Sequence, residues 1–280
     1  MTKDIDNVKY RRPLNKQQLL VLQQLYQFRF CTSRQLACTL NRPNSKSIQN
    51  KLQILEEQGF ISKRYDASYK LAGRPAEYFI TSRGGRELTK LKPDSSSEWA
   101  SKNLYKNTSV SNDYLKHSLS VTDCAQHMQK LYGNDTWILP KSYTANYSDF
   151  PAWTPDLYLK LLATSRTPAK RYFVDIWDDT KPFFVSVRKL RNYVNFKEAS
   201  DWSVYPAVLA ICTNSRAQRK LAKQMKRILD DSWDTELIFA ATTQQQFDNA
   251  TKPSDKVWLK MDIEDEGEYV SLEELIVYDQ

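Results

Sequence analysis

The stretch RYFVDIWDDT, residues 171–180, joins an apolar run to a group of aspartates. The run at 172–174 predicts a buried strand, and Asp175 continues it. A carboxylate inside an apolar strand is unfavourable unless it is paired or coordinates a metal. The upstream stretch TPDLYLKLL, residues 154–162, has the same character and carries Asp156 near its start. The two stretches predict a hairpin of central strands on which the two carboxylates converge.

The segments around this hairpin predict an α/β domain with a mixed sheet. Helices are expected from Asn112 and around 182–199 and 215–231, and further strands at 137–140, 204–213 and 235–242. The order helix, three strands, helix, strand, helix, strand is typical of layered α/β domains.

A convergent pair of carboxylates predicts a metal site. Two close carboxylates repel each other unless a cation lies between them, and oxygen ligands favour Mg²⁺ or Mn²⁺ over zinc. The predicted metal ligands are Asp156 and Asp175. In a basic chain, such a site predicts phosphodiester hydrolysis, because the metal polarises the phosphate and lowers the pKa of an attacking water.

The charge of the chain is spread unevenly. Residues 1–92 contain 18 basic and 7 acidic residues, whereas residues 230–280 contain 3 basic and 14 acidic ones. A basic front half predicts an anionic partner. Double-stranded DNA is the expected partner, and a generally solvated basic surface is the alternative.

Residues 1–92 predict a winged helix-turn-helix DNA-binding domain. Leucines at helical spacing mark a helix at 15–29, Thr32 and Gln35 form a capping box that starts a second helix, and Gly59 ends a third. Strands are predicted at 60–65 and 76–81, on either side of a turn-rich connection, and a further helix follows from Ser82.

In a winged helix, the third helix enters the major groove and the hairpin contacts the DNA backbone. The predicted DNA-binding residues of the third helix are Lys46, Ser47, Gln49, Asn50, Lys51 and Gln53. The predicted contacts of the wing are Lys63, Arg64, Lys70 and Arg74. A winged helix used for protein contacts is the alternative, and the positive charge argues against it.

A polar, Ser-rich stretch marks the domain boundary, with a linker predicted over 93–111 and a second domain over 112–280 that ends in an acidic tail. No apolar run is long enough to cross a membrane, and the N-terminus has no apolar signal region, so a cytoplasmic protein without a membrane partner is expected. Four cysteines without a CxxC pair and two histidines argue against structural zinc and disulfides, and predict buried free thiols.

Three stretches, TPDLYLKL, RYFVDIWDDT and VRKLRNYVNF, resemble the replication-relaxation family of plasmids and integrative elements. The stretch AGRPAEYFITSRGGREL resembles the wing of bacterial winged-helix regulators. The resemblance implies a winged helix followed by a restriction-endonuclease-like PD-(D/E)xK domain, similar to MobC-type plasmid relaxases that nick DNA at a transfer origin. Pro155 and Asp156 match the "PD", and Asp175 matches the second acidic position.

Trp177 stands where the motif has its lysine. The resemblance implies that this role has moved to Lys189 on the next helix, with Arg188 and Lys181 as alternatives. Lys189 and Tyr193 are four residues apart, which places them on one helix face. Tyr193 therefore joins the candidate catalytic residues.

His117 is a further candidate, because related proteins often carry a polar residue near the metal at its place. A histidine at the edge of the core is the alternative. With only two histidines, a histidine-cluster relaxase is excluded. None of the 16 tyrosines stands in a motif that argues for covalent chemistry.

The expected function is that of a site-specific, metal-dependent endonuclease of a mobile element, a relaxase-type enzyme that nicks origin DNA for mobilisation or replication. The alternative, which Trp177 favours, is a catalytically inactive DNA-binding replication accessory or transcriptional regulator.

An amphipathic segment is predicted in the acidic tail around Leu272, Leu275, Ile276 and Val277. Three roles are open for it. It docks on the core, it covers the basic groove as a mimic of DNA, or it recruits a coupling (relaxosome) protein or a second copy in a homodimer.

Overall fold

The fold of the chain, seen in a computed structural model, consists of two compact units, Met1–Gln126 and His127–Gln280. The described residues are 13–91, 104–133, 136–144, 149–151, 153, 155–163, 168–178, 182–202, 204–231, 237–261 and 267–275. Among them, none of the helices combines the length and the apolar character that a bilayer span requires.

The first unit contains five complete helices, within its described part, and a small antiparallel sheet. The helices are α1 (Lys16–Phe28), α2 (Ser33–Thr39), α3 (Gln49–Glu57), α4 (Ala67–Leu71) and α5 (Ser82–Leu91). The strands β1 (Phe30–Thr32), β2 (Ile61–Arg64) and β3 (Glu77–Ile80) pair with β3 in the centre. A 3₁₀ turn, Ser45–Ile48, precedes α3, and helix α6 (Asn112–Tyr132) begins in this unit and ends in the second.

Local signals in the sequence fix most of these boundaries. The predicted capping box at the start of α2 is confirmed, because Thr32 accepts a hydrogen bond from the backbone of Gln35 while the Gln35 side chain accepts one in return. Gly59, with φ of 72°, follows α3 in the left-handed region, where a side chain would be strained.

Two elements of the first unit differ from the prediction. Strand β1 was not expected, and the connection expected to be all turn contains α4. Asp66 starts α4 because its carboxylate accepts hydrogen bonds from the backbone of Ser68 and Tyr69.

Part of the predicted linker is ordered within the first unit. Residues Leu104–Thr108 form a 3₁₀ turn, and the buried Asn107 side chain accepts hydrogen bonds from the guanidinium of Arg29 at 2.7 and 3.2 Å. The two compact units divide at 126/127, inside α6, and the domain boundary at a linker over 93–111 stays a prediction.

The second unit is built on a mixed seven-stranded sheet with the strand order β10-β9-β8-β7-β6-β5-β4. Its strands are β4 (Thr136–Pro140), β5 (Leu157–Leu161), β6 (Lys170–Trp177), β7 (Ala207–Cys212), β8 (Phe239–Thr243), β9 (Trp258–Lys260) and β10 (Glu268–Val270). Its further helices are α7 (Lys141–Thr144), α8 (Phe183–Ala199), α9 (Ser215–Asp231) and α10 (Gln244–Asn249). The molecule is therefore an α+β protein with the predicted mixed sheet, and the short helix α7, helix α10 and strands β9 and β10 were not predicted.

Strands β6, β7 and β8 are parallel, and the other pairs of the sheet are antiparallel. All six residues of β7 are buried, as is usual for an inner parallel strand covered on both faces. On one face, a core forms between the sheet and helices α8 and α9, and Phe173, Tyr193, Leu221 and Met225 belong to it. This core positions the side chains of β5, β6 and α8.

The described part of the acidic tail docks on the second unit. Leu272 and Leu275 are fully buried, and the Tyr172 hydroxyl donates a hydrogen bond to the Leu272 carbonyl at 3.0 Å. Docking is therefore confirmed for residues 267–275, whereas Ile276 and Val277 lie outside the described residues.

The cysteines are free thiols, as predicted. Cys31, Cys124 and Cys212 are buried, but Cys38 is exposed. Cys38 lies near the end of α2, on the turn that is not covered by the core of the first unit.

Candidate functional site

The register of the β5–β6 hairpin aligns the two aspartates. The last pair of the ladder is Leu157 opposite Val174, so Asp156 and Asp175 occupy the next position along. Because side chains alternate along a strand, Asp156 lies on the side of Tyr158 and Asp175 on the side of Phe173. The rings of Tyr158 and Phe173 contact each other, with centroids 6.1 Å apart. Both carboxylates therefore face the same side of the sheet.

Each carboxylate is held by the backbone of the opposite strand. Oδ1 of Asp175 accepts a hydrogen bond from the Asp156 amide at 3.0 Å, and Oδ2 of Asp156 accepts one from the Ile176 amide at 2.9 Å. Asp175 is fully buried and Asp156 is 8% exposed. The backbone hydrogen bonds between β5 and β6 end at Leu157 and Val174, and the two carboxylates accept the backbone donors beyond that point. The hairpin and the acid pair therefore stabilise each other.

Helix α8 supplies two further partners of Asp175. The ammonium of Lys189 lies 2.5 Å from Oδ1, and the hydroxyl of Tyr193 donates a hydrogen bond to Oδ2. The four-residue spacing places both side chains on the face of α8 that covers the sheet, as predicted. A buried carboxylate in the middle of an apolar strand is thus matched by a cation and a phenol.

The charges of the site explain the protonation states of its partners. Burial alone would lower the pKa of Lys189, but the carboxylates of Asp175 and Asp156 outweigh it and raise that pKa above its ordinary value. Burial, followed by the charge of Asp175, raises the pKa of Tyr193 far above its ordinary value. Lys189 therefore stays positively charged, and Tyr193 stays a protonated hydrogen-bond donor.

Trp177 contributes an aromatic ring to the site and carries no charge. It is half-buried against the core of the second unit, with the Lys189 ammonium 5.9 Å from its ring centroid. Its indole Nε1 is buried without a hydrogen-bond partner among the described residues. The cation that contacts the acid pair is Lys189, from α8.

The donor set of the site fits a divalent cation in part. Carboxylate oxygens from Asp156 and Asp175 are suitable ligands for Mg²⁺ or Mn²⁺. No group of three or more His, Cys, Asp or Glu that could hold a metal occurs within the described ranges. Mg²⁺ is often held by one or two carboxylates together with water and substrate phosphates, so two carboxylates suffice only where other oxygen ligands complete the site.

The other candidates for the cation and the metal site are Arg188, Lys181 and His117. Arg188 is exposed on α8, and Lys181 lies outside the described residues. His117 is half-buried in the part of α6 that belongs to the first unit, and its predicted catalytic role stays a prediction.

The predicted recognition residues form an exposed polar surface on the first unit. Lys46, Ser47, Gln49, Asn50 and Gln53 are exposed and Lys51 is half-buried. Their side chains alternate with the buried Ile48, Leu52 and Leu55, which anchor the 3₁₀ turn and α3 to the core. The surface has the donors and acceptors that base edges require.

Three of the four predicted wing cations contact other protein groups. Lys63 pairs with Glu56 at 2.8 Å, and Arg64 donates hydrogen bonds to the Val110 carbonyl and the Asn112 side chain. The remaining cation, Lys70, is exposed on α4.

Arg74 is the third of these cations, and sequence reasoning missed its partners. It pairs with the buried Glu77 at 3.0 Å and lies over the ring of Tyr69, whose hydroxyl also donates a hydrogen bond to Glu77. The signal in the sequence was a glutamate at the start of an otherwise apolar strand, close to an arginine and a tyrosine.

Fold and site together define an α+β protein whose mixed sheet carries a buried pair of aspartates bridged to a helix by lysine and tyrosine. A family model described as Replication-relaxation matches residues 22–207, which is well over half of the chain. The chain therefore belongs to the replication-relaxation family. No curated protein and no solved structure matches it.

Proposed function

We propose that this protein binds the DNA of a mobile element and that its second unit is a Mg²⁺- or Mn²⁺-dependent endonuclease that nicks origin DNA for mobilisation or replication. Membership of the replication-relaxation family supports a role in the replication or relaxation of such elements. The observation that carries the nuclease proposal is the contact of Lys189 with Asp175 beside Asp156.

The topology of the second unit supports this proposal. The two acids come from neighbouring antiparallel strands, and the lysine comes from the helix that follows them. Lys189 thereby supplies the positive charge that Trp177 does not.

Each residue of the site has a role in the proposed reaction. A bound divalent cation would polarise the scissile phosphate and lower the pKa of water, with Asp156 and Asp175 as its ligands. The Lys189 side chain is 26% exposed, so its charge is within reach of a bound phosphate and stabilises the negative charge that develops there. Tyr193 orients Asp175 through its hydroxyl.

The first unit would find the DNA. Helices α2 and α3 with the β2–β3 hairpin would act as a winged helix-turn-helix on double-stranded DNA. The exposed residues Lys46, Gln49 and Asn50 would contact base edges and phosphates. Lys70 would contact the backbone from the wing.

A nicking assay tests the proposal. Full-length protein is incubated in Mn²⁺ with a supercoiled plasmid that carries the origin of its own element, and the supercoiled and open-circular fractions are measured. We expect nicking by the wild type, none by Asp175→Asn, and wild-type nicking by Asp201→Asn, which changes an exposed aspartate of the same unit. Equal supercoiled fractions for the wild type and Asp175→Asn would exclude catalysis at this site, provided that thermal melting shows both to be folded.

A second candidate function is that of a DNA-binding protein without nuclease activity. It is favoured by Trp177 at the position of the motif lysine and by the two oxygens of Asp175, which already accept hydrogen bonds from the protein. A calorimetric titration with Mn²⁺ separates the two. An inactive site shows no binding that depends on Asp156, whereas the nuclease loses Mn²⁺ binding on Asp156→Asn.

A further inference from the structure

Helix α9 presents one strip of exposed cations to solvent. Its members are Arg216, Arg219, Lys220, Lys223 and Arg227, and they define what we call the α9 basic strip. They occupy positions i, i+3, i+4, i+7 and i+11 of the helix, so they line one side of it over about 16 Å. Residues 215–229 contain no aspartate or glutamate.

This strip is unfavourable for the isolated helix. Like charges four residues apart repel each other, and the strip contains three such pairs, 216 with 220, 219 with 223, and 223 with 227. Arg216 and Arg219 also lie at the positive end of the helix dipole. No salt bridge among the described residues involves the strip. Uncompensated repulsion of this kind indicates an anionic partner.

The apolar side of α9 packs in the core of the second unit, whereas the basic strip makes no contribution to that core. The opposite side of the helix, with Leu221, Met225 and Leu229, is buried in the core of the second unit. Since these apolar residues are already covered by the sheet, the helix cannot insert them into a membrane surface. A partner of this surface therefore contacts the cations and not the apolar residues. Contacts between cations and phosphates are the main way in which proteins bind the backbone of nucleic acids.

An exposed aromatic residue follows directly after a ring that contacts the strip. The Lys220 ammonium is 3.8 Å from the ring centroid of Phe183 at the start of α8, and the next residue, Phe184, is 67% exposed. Cations that follow a backbone, next to an exposed ring on which a base can stack, are the arrangement by which proteins bind single strands.

We propose that the α9 basic strip and Phe184 form a binding surface for a single strand of DNA. The strip holds consecutive phosphates, and Phe184 stacks on an unpaired base. This surface is additional to the duplex-binding surface of the first unit and to the acid pair. It rests on the proposed function only in taking DNA as the nucleic acid.

The test measures binding of the full chain to a fluorescent oligothymidylate by anisotropy over a series of salt concentrations. In the triple variant Arg216→Gln, Lys223→Gln, Arg227→Gln, we expect affinity to fall by about tenfold or more. The slope of log affinity against log salt falls by about 2, since each lost single-strand phosphate contact removes about 0.7. A charge-matched control, Lys130→Gln, Lys252→Gln, Lys256→Gln, removes three exposed lysines elsewhere in the same unit and leaves the slope unchanged.

Phe184→Ala tests the aromatic part independently. We expect about tenfold weaker binding of the oligonucleotide with an unchanged salt slope, because stacking rather than charge is lost. Trp137→Ala, which removes an exposed aromatic side chain from β4, is the matched control. The proposal is overturned if the wild type does not bind the oligonucleotide, if both strip and ring variants bind as the wild type does, or if the controls weaken binding equally.

The oligothymidylate-binding test and the nicking assay can fail independently of each other. If the plasmid is not nicked but the triple variant loses the single strand, the nuclease proposal fails and the single-strand surface stands. If the plasmid is nicked and the triple variant binds oligothymidylate as tightly as the wild type, the nuclease proposal stands and the single-strand surface is rejected.

Discussion

The ammonium of Lys189 lies 2.5 Å from Oδ1 of Asp175 and ties helix α8 to strand β6. The two partners differ in exposure, since the Asp175 side chain is 1% exposed and the Lys189 side chain 26%. The pair therefore runs from the core of the second unit towards its surface. It satisfies a buried charge and, in the proposed nuclease, brings a positive charge to the substrate. These two roles can be separated by experiment.

Removing the lysine is expected to destabilise the second unit. Lys189→Met keeps most of the side-chain volume but leaves the Asp175 carboxylate buried without its cation, which costs on the order of 3 kcal/mol. Urea denaturation measures the loss in the free energy of unfolding. The double variant Lys189→Met, Asp175→Asn removes the unpaired charge and recovers part of that loss. If the double variant is as unstable as the sum of the two single variants, the pair is not coupled.

The stability that Lys189 contributes is expected to depend on pH at the alkaline end. Its pKa is raised above the ordinary 10.5, so the contribution is complete below that value and is lost as the pH rises through the raised pKa. The difference in free energy of unfolding between the wild type and Lys189→Met is therefore constant from about pH 7 to 10 and narrows above it. Lys252→Met, at an exposed lysine, shows no such narrowing. If the difference in free energy of unfolding between the wild type and Lys189→Met stays constant as the pH rises well above 10.5, the pKa of Lys189 does not govern its contribution to stability.

Tyr193 is expected to orient the carboxylate and not to attack DNA. Burial and the charge of Asp175 raise the pKa of its phenol, which keeps the hydroxyl protonated. Tyr193→Phe leaves one buried oxygen of Asp175 without a donor and costs about 2 kcal/mol in the free energy of unfolding. In the nicking assay it slows but does not abolish cleavage, and the wild type forms no covalent adduct with DNA on a denaturing gel. An adduct that disappears in Tyr193→Phe would establish a tyrosine nucleophile instead.

Much of the second unit could be predicted from its sequence, because periodicity and short-range spacing determine it. The apolar runs around Asp156 and Asp175 predict the hairpin, and its pairing aligns the two acids. The spacing of Lys189 and Tyr193 predicts that they share a helix face. What spacing cannot provide is the approach of α8 to β6, since that distance depends on the packing of Phe173 and its neighbours in the core.

The first unit shows the limit of a sequence pattern more clearly. A basic residue in a predicted wing suggests a DNA contact, but a pattern of charges does not show which cations already have partners. Arg74 and Glu77 are three residues apart across a turn, and only the fold brings Tyr69 beneath the arginine and next to the glutamate. Strand β1 was missed because three residues carry too little periodicity to be distinguished from a loop.

Arg74 and Lys70, two cations of the predicted wing, are therefore expected to behave differently on substitution. Arg74→Gln leaves buried Glu77 with one donor fewer and costs about 1 to 2 kcal/mol, seen as faster hydrogen exchange of the β3 amides. Lys70→Gln changes stability by less than about 0.5 kcal/mol. It lowers the salt slope of duplex binding by about 0.9 if Lys70 contacts a phosphate. Equal exchange rates in the two variants would show that the contact of Arg74 with Glu77 does not stabilise strand β3.

Lys189 and a divalent cation are expected to compete for Asp175. The ammonium occupies Oδ1 and adds a positive charge beside both carboxylates, so it opposes the binding of a second cation at this place. Lys189→Met is therefore expected to bind Mn²⁺ more tightly than the wild type in a calorimetric titration and yet to nick DNA more slowly, because the charge that stabilises the reacting phosphate is lost. Lys252→Met leaves both properties unchanged. Weaker Mn²⁺ binding by Lys189→Met, in a variant shown to be folded, would mean that the lysine orients the carboxylate for the metal and does not compete with it.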